Sequence, residues 1–340
     1  MVRQARCGEP SEIAGETARI SARQSTVRSS SRSRLSLYAQ TSIATGVLAR
    51  SCRLSIFPLS NQASKANFLM KVKYRFTFGW TAARALELEQ VGATVDPPSD
   101  FNGDCIIGVV HSIEGAPEWG GISSLIREWG GSSLVTTEFS VAEIAAADYC
   151  ELLVTHANGY PQPEDDFGFL AQSYDTSKYC DECGVGAVQI APFRVRKSLK
   201  WGRNAFLKLF WVEDAIFMHR EVWQEHLAPL RIETWPVEDT KGNVLDHIVQ
   251  LRADTSVALQ MEENLGVRCP KCRRVRYIGP ERAFLAAPVR APELPIFRSE
   301  QFFGAGHQSS NAILIGRDVV AAIQSAKLRG AKLWPCATPE

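Results

Sequence analysis

No run of about 18 apolar residues occurs in this chain, so a membrane-spanning helix is not expected. Charge of one sign is also missing. The formal net charge is +1, which excludes a chain that binds polyanions over its whole surface. Catalytic fingerprints are absent too: there is no HExxH, no GxxxxGK[ST], no nucleophile elbow and no dinucleotide-binding glycine pattern. Nor is there a dense, even set of cysteines. The nine are Cys7, Cys52, Cys105, Cys150, Cys180, Cys183, Cys269, Cys272 and Cys336, of which five stand alone. That pattern argues against a secreted disulfide framework and for reduced thiols in the cytoplasm. What is present is 340 residues with 45% hydrophobic content, enough for one large domain or two ordinary ones.

Residues 1–69 differ from the rest. They hold ten basic and three acidic residues, leaving 28 basic and 34 acidic residues, a net of −6, in 70–340. This Ser- and Arg-rich stretch is expected to be a disordered leader. It has either the composition of a transit peptide or the look of a start assigned upstream of the true one, and the second reading is preferred. Met70 opens MKVKYRFTFGW, an expected strand with Val72, Tyr74, Phe76 and Phe78 on one face. Residues 70–170 read as an amino-terminal α/β portion. Within it SLIREWGG suggests a helix stopped by glycine, and Ser140 with Glu143 forms a capping-box pattern for a helix from Val141. GYPQPEDDFG reads as a turn-rich loop.

The second half contains an internal repeat. DAIFMHREVWQEHLAPLRIETWPV, from Asp214, aligns with NAILIGRDVVAAIQSAKLRGAKLWPC, from Asn311. The alignment pairs Ile216 with Ile313, Arg220 with Arg317, Val222 with Val319 and Trp235-Pro236 with Trp334-Pro335. Each copy predicts a short apolar strand, an amphipathic helix, a turn and a second strand ending at Trp-Pro. Each also follows a CxxC pair, so the unit is CxxC, linker, strand-helix-strand, used twice. The expected fold is α+β. Two strand-helix-strand halves (about 180–238 and 269–337) join at a four-cysteine zinc-knuckle pair within a domain spanning 171–337.

The knuckles are YCDECGVG and RCPKCRRV. Zinc favours four thiolates in a tetrahedron, and a two-residue spacing aims both sulfurs of a pair at one point. Cys180, Cys183, Cys269 and Cys272 are therefore the candidate metal ligands, holding structural Zn²⁺. With every position filled by sulfur, no place is left for water or substrate. Gly184 supplies the positive φ such turns favour, whereas Arg273 stands at that position in the second knuckle. A redox dithiol normally occurs once, ahead of a helix, and iron–sulfur ligands run closer together. Two independent buried pairs, or a vestigial site, remain the alternative.

YCDECGVGAVQIAPF, RCPKC and LPIFRSEQFFG…NAILIGRDVVAAIQSAKLRGAKLWPC together resemble the double-CXXCG motif paralogous family of myxobacterial type. The resemblance covers about 170–337. It places the four cysteines on the family's ligands and Gly184 on its first motif glycine, while residues 70–150 have no counterpart. It implies a non-enzymatic protein-interaction module, in some members an immunity protein that neutralises a partner toxin.

A zinc-ribbon-like nucleic-acid binder is the alternative. Its basic rim would comprise Arg194, Arg196, Lys197, Lys200, Arg273 and Arg274, brought together if the knuckles meet. Four other features read as ordinary surface or core: His219 and His226 with Glu225, Asp165 with Asp166, His307 in GAGHQSS, and the aromatics. Of the aromatics, Trp211 and Phe303 are the ones placed to face a partner.

Overall fold

The computed structural model describes residues 70–101, 105–262 and 265–337; the expected leader, 1–69, lies outside them. Mixed α and β elements fill the described chain. The first unit comprises β1 (Lys71–Gly79), α1 (Ala82–Gln90), β2 (Val95–Phe101), β3 (Cys105–Ile113), α2 (Trp119–Glu128) and β4 (Ser132–Glu138). Its antiparallel sheet runs β2-β3-β1-β4. β1 alternates strictly, so Val72, Tyr74, Phe76 and Phe78 are buried against Leu88 of α1 and Ile122 and Ile126 of α2. The helix expected around SLIREWGG is α2, and Gly130 just beyond it takes φ 68.

Next come α3 (Val141–Ala146), β5 (Tyr149–Val154), α4 (Phe169–Ser173), β6 (Tyr174–Asp175), β7 (Val188–Gln189) and β8 (Phe206–Leu207). The capping box forms: Ser140 accepts from the Glu143 amide at 3.1 Å, and the Glu143 carboxylate accepts from the Ser140 amide at 2.6 Å. α3 ends at Ala146, because the following YCELLV alternates as a strand rather than a helix.

The remaining elements are β9 (Phe217–His219), α5 (Arg220–His226), β10 (Thr234–Glu238), β11 (Val244–Leu251), β12 (Ser256–Val257), β13 (Val267–Arg268), β14 (Val275–Tyr277), β15 (Ile296–Phe303), β16 (Ser310–Gly316), α6 (Arg317–Ser325) and β17 (Ala331–Pro335). One sheet is ordered β10-β11-β9-β8; a larger one is ordered β13-β14-β15-β16-β5-β17, with β12 beside β15.

β9 and β10 both run antiparallel to β11, which separates them; β16 and β17 both run antiparallel to β5, which separates them. Each pair is thus parallel and joined by a helical crossover with one strand inserted. The inserted strand follows its unit in the first sheet and precedes it by more than a hundred residues in the second. β5 lies before residue 171 in the sequence, yet it is an inner strand of the carboxy-terminal sheet, between β16 and β17. The two sheets share one core, in which Cys150 and Leu152 of β5 meet Met218, Val249, Ile313, Val319 and Ile323.

Candidate metal centre

Each knuckle sits at the tip of a hairpin. β6 and β7 carry the first, with Tyr174 opposite Gln189; β13 and β14 carry the second, with Arg268 opposite Val275. Both tips have the same backbone pattern. The Cys180 amide donates to Val185 O and the Gly184 amide to Cys180 O. Likewise the Cys269 amide donates to Arg274 O and the Arg273 amide to Cys269 O, all four at 2.7–3.0 Å. Gly184 takes φ 75 and Arg273 takes φ 65. The second knuckle thus makes the same left-handed turn with an arginine, at a steric cost a glycine avoids.

The four sulfurs converge, all within 4.8 Å of one another. Like meets like across the pair: Cys180 Sγ lies 3.9 Å from Cys269 Sγ, and Cys183 Sγ lies 3.6 Å from Cys272 Sγ. A tetrahedron with metal–sulfur bonds of about 2.3 Å separates its sulfurs by about 3.8 Å, so the donor set fits zinc. These distances are far too long for disulfides, whose sulfurs lie about 2.05 Å apart. Among the described residues, no other group of three or more His, Cys, Asp or Glu side chains converges in this way.

The surroundings hold the sulfurs in place. Cys180, Cys183 and Cys269 are buried with Val185, and Phe302 packs against them. Burial raises the Cys183 thiol to about 12, whereas the Arg274 backbone amide lowers Cys272 to about 6. Ser309 donates its hydroxyl to Cys183 O at 2.7 Å, and His307 Nδ1 lies 3.2 Å from Asp181 O. A Cβ on Gly184 would lie 2.6 Å from His307 O, so the β15–β16 loop presses on the turn itself. Lys271 pairs with Asp181, and Arg274 donates to Lys178 O at 2.6 Å; both contacts tie one knuckle to the other.

Ser309 and Phe302 carry no signal in the sequence, because their part depends on a loop folding back over a knuckle more than a hundred residues away. His307 is different. The residue lies against the first knuckle, its Nδ1 3.2 Å from Asp181 O. The His219 ring lies tilted against Trp201, centroids 4.1 Å apart, where burial lowers its pKa, and His226 ends α5 beside Glu225. Asp165 and Asp166 occupy an exposed turn.

Half of the basic rim is paired with carboxylates. Arg194 pairs with Glu238 at 3.0 Å, Arg196 with Glu164 at 3.2 Å and Lys197 with Asp239 at 3.4 Å. Arg274 is spent on a carbonyl, while Lys200 and Arg273 are exposed. No helix among the described residues is long and apolar enough to cross a membrane. No protein-family model, curated protein or solved structure matches this chain.

Proposed function

We propose that Cys180, Cys183, Cys269 and Cys272 hold one structural Zn²⁺, and that the chain is a non-enzymatic protein-interaction module. The observation that carries this reading is the meeting of four sulfurs from hairpins 85 residues apart at tetrahedral spacing. Zinc there would supply a crosslink between distant segments, with no open position for catalysis. The matched knuckle turns and the matched parallel strand pairs also support two equivalent halves joined at the metal.

The immunity role, neutralising a cognate toxin, rests on the double-CXXCG resemblance. The nucleic-acid alternative has less behind it, because three of its six basic residues are already paired with carboxylates.

Metal analysis of natively purified protein tests the first part. About one zinc per chain is expected, and Cys180→Ser should lose the metal and melt at lower temperature; zinc-free native protein with an unchanged melting curve refutes it. The second part is tested by co-expression with any toxin encoded next to its gene. A stable complex and cell survival are expected, and killing undiminished by this chain rejects the immunity role.

A further inference from the structure

A cavity of about 620 Å³ opens beside the first knuckle, and the metal site does not explain it. It arises from a fork in the larger sheet. β5 and β16 pair only where Tyr149, Cys150 and Glu151 face Gly316, Ile315 and Leu314. Beyond that, β5 runs on to Val154 and β16 reaches back to Ser310, and both lips of the fork line the cavity. Its volume falls in the range of small-ligand pockets, about 300–1,000 Å³.

The walls are aromatic. The Trp211 ring lies 4.8 Å from Phe167 and 6.3 Å from Phe169, and all three line the space. Phe167 and Trp211 hold φ of 55 and 70, a left-handed backbone that bulky residues adopt only when their surroundings impose it. Phe167 is nevertheless 51% exposed, a large ring left open to solvent.

Carboxylates supply the polarity. Asp214 is engaged by Arg298 at 2.8 Å and by the Tyr174 hydroxyl at 3.4 Å, and Glu213 is engaged by Lys208. Glu151, at the apex of the fork, has no hydrogen-bond or ion-pair partner among the described residues. Its neighbours across the ladders are Leu314 and Trp334. Glu151 is half-buried, and desolvation raises its pKa to about 7 with no counter-ion to oppose the shift.

We propose that this cavity binds a small organic cation, an amine or amidine on an aromatic or other apolar body, with Glu151 as counter-ion and the Trp211–Phe167 wall as its seat. Aromatic faces attract cations, and an unpaired, partly desolvated carboxylate is stabilised by one. A ligand anion would face Glu151 with no cation reserved for it, since Lys208 and Arg298 are already paired.

The test uses full-length protein of verified zinc content and three probes on one indole body: tryptamine (cationic), tryptophol (neutral) and indole-3-acetate (anionic). Titration calorimetry at about pH 8, where Glu151 is ionised, should give tryptamine roughly tenfold tighter binding than tryptophol, with indole-3-acetate weakest. Glu151→Gln should remove the preference for tryptamine, and Trp211→Leu should weaken tryptamine more than tryptophol. Equal affinity for tryptamine and tryptophol overturns the proposal, as does a preference that survives in Glu151→Gln. No tryptamine binding at millimolar concentration by zinc-loaded protein overturns it too, and leaves the metal reading standing.

Discussion

Arg273 and Glu151 are the residues where local chemistry and the fold disagree most. Arg273 carries a side chain in a conformation that Gly184 occupies freely in the matching turn. Arg273→Gly should therefore stabilise the protein by about 0.5–1 kcal/mol, the steric relief being partly offset by glycine's larger unfolded-state entropy. Urea unfolding of the zinc-loaded protein measures it, and a loss of stability would mean that the arginine makes a favourable contact of its own. At Glu151 burial raises the pKa from 4.5 to about 7. The folded state then keeps a proton that the unfolded chain releases, so stability falls as pH rises from about 4.5 to about 7. The loss is complete above that window and amounts to at most about 3 kcal/mol. Glu151→Gln lacks this penalty. Its melting temperature should exceed that of wild type at pH 8 and converge with it near pH 4.5; a constant difference across that range would contradict the assignment.

At the scale of elements, α3 shows what a cap secures. It has six residues, too few to persist by propensity alone. The reciprocal Ser140–Glu143 bonds satisfy two amides at its start and fix where the helix begins. Ser140→Ala should cost about 1 kcal/mol in thermal or urea unfolding, and no measurable loss would mean that tertiary packing alone holds the helix. The two crossover units make a related point. α6 buries Val319, Val320 and Ile323 on one face, whereas α5 has no residue fully buried. Identical order along the chain therefore ends in unequal depth of packing, set by which sheet each helix covers.

Across the whole molecule, the metal would tie together hairpins that share no strand. β6–β7 pairs only with itself, while β13–β14 hangs at the edge of the larger sheet beside β15. With strands of two or three residues, these hairpins rely on side-chain contacts such as Ser309 to Cys183 O and Arg274 to Lys178 O, and on the proposed metal. Chelation, or acid that protonates the thiolates, should raise hydrogen exchange in both hairpins and in the β15–β16 loop. The β1–β4 sheet has its own core and should stay protected. Uniform exchange across the chain on chelation would show instead that the metal holds the entire fold.

Much of this protein follows from the order of its residues. The strict alternation of KVKYRFTFG specifies β1 and its buried face, and Ser140 with Glu143 specifies a helix start, because both signals act over a few residues. Each CxxC pair aims its two sulfurs at one point because two-residue spacing constrains sulfur direction locally, while the meeting of the two pairs is a tertiary outcome. Three features could not be read this way: β5 between β16 and β17, Ser309 bonded to Cys183, and Glu151 at the head of a fork. Strand order and cavity walls depend on which distant surfaces bury each other, and that choice is made by the packed core. A glutamate in YCELLV looks like one more polar position in a strand; only two strands parting beside it leave it half-desolvated on a cavity wall without a partner.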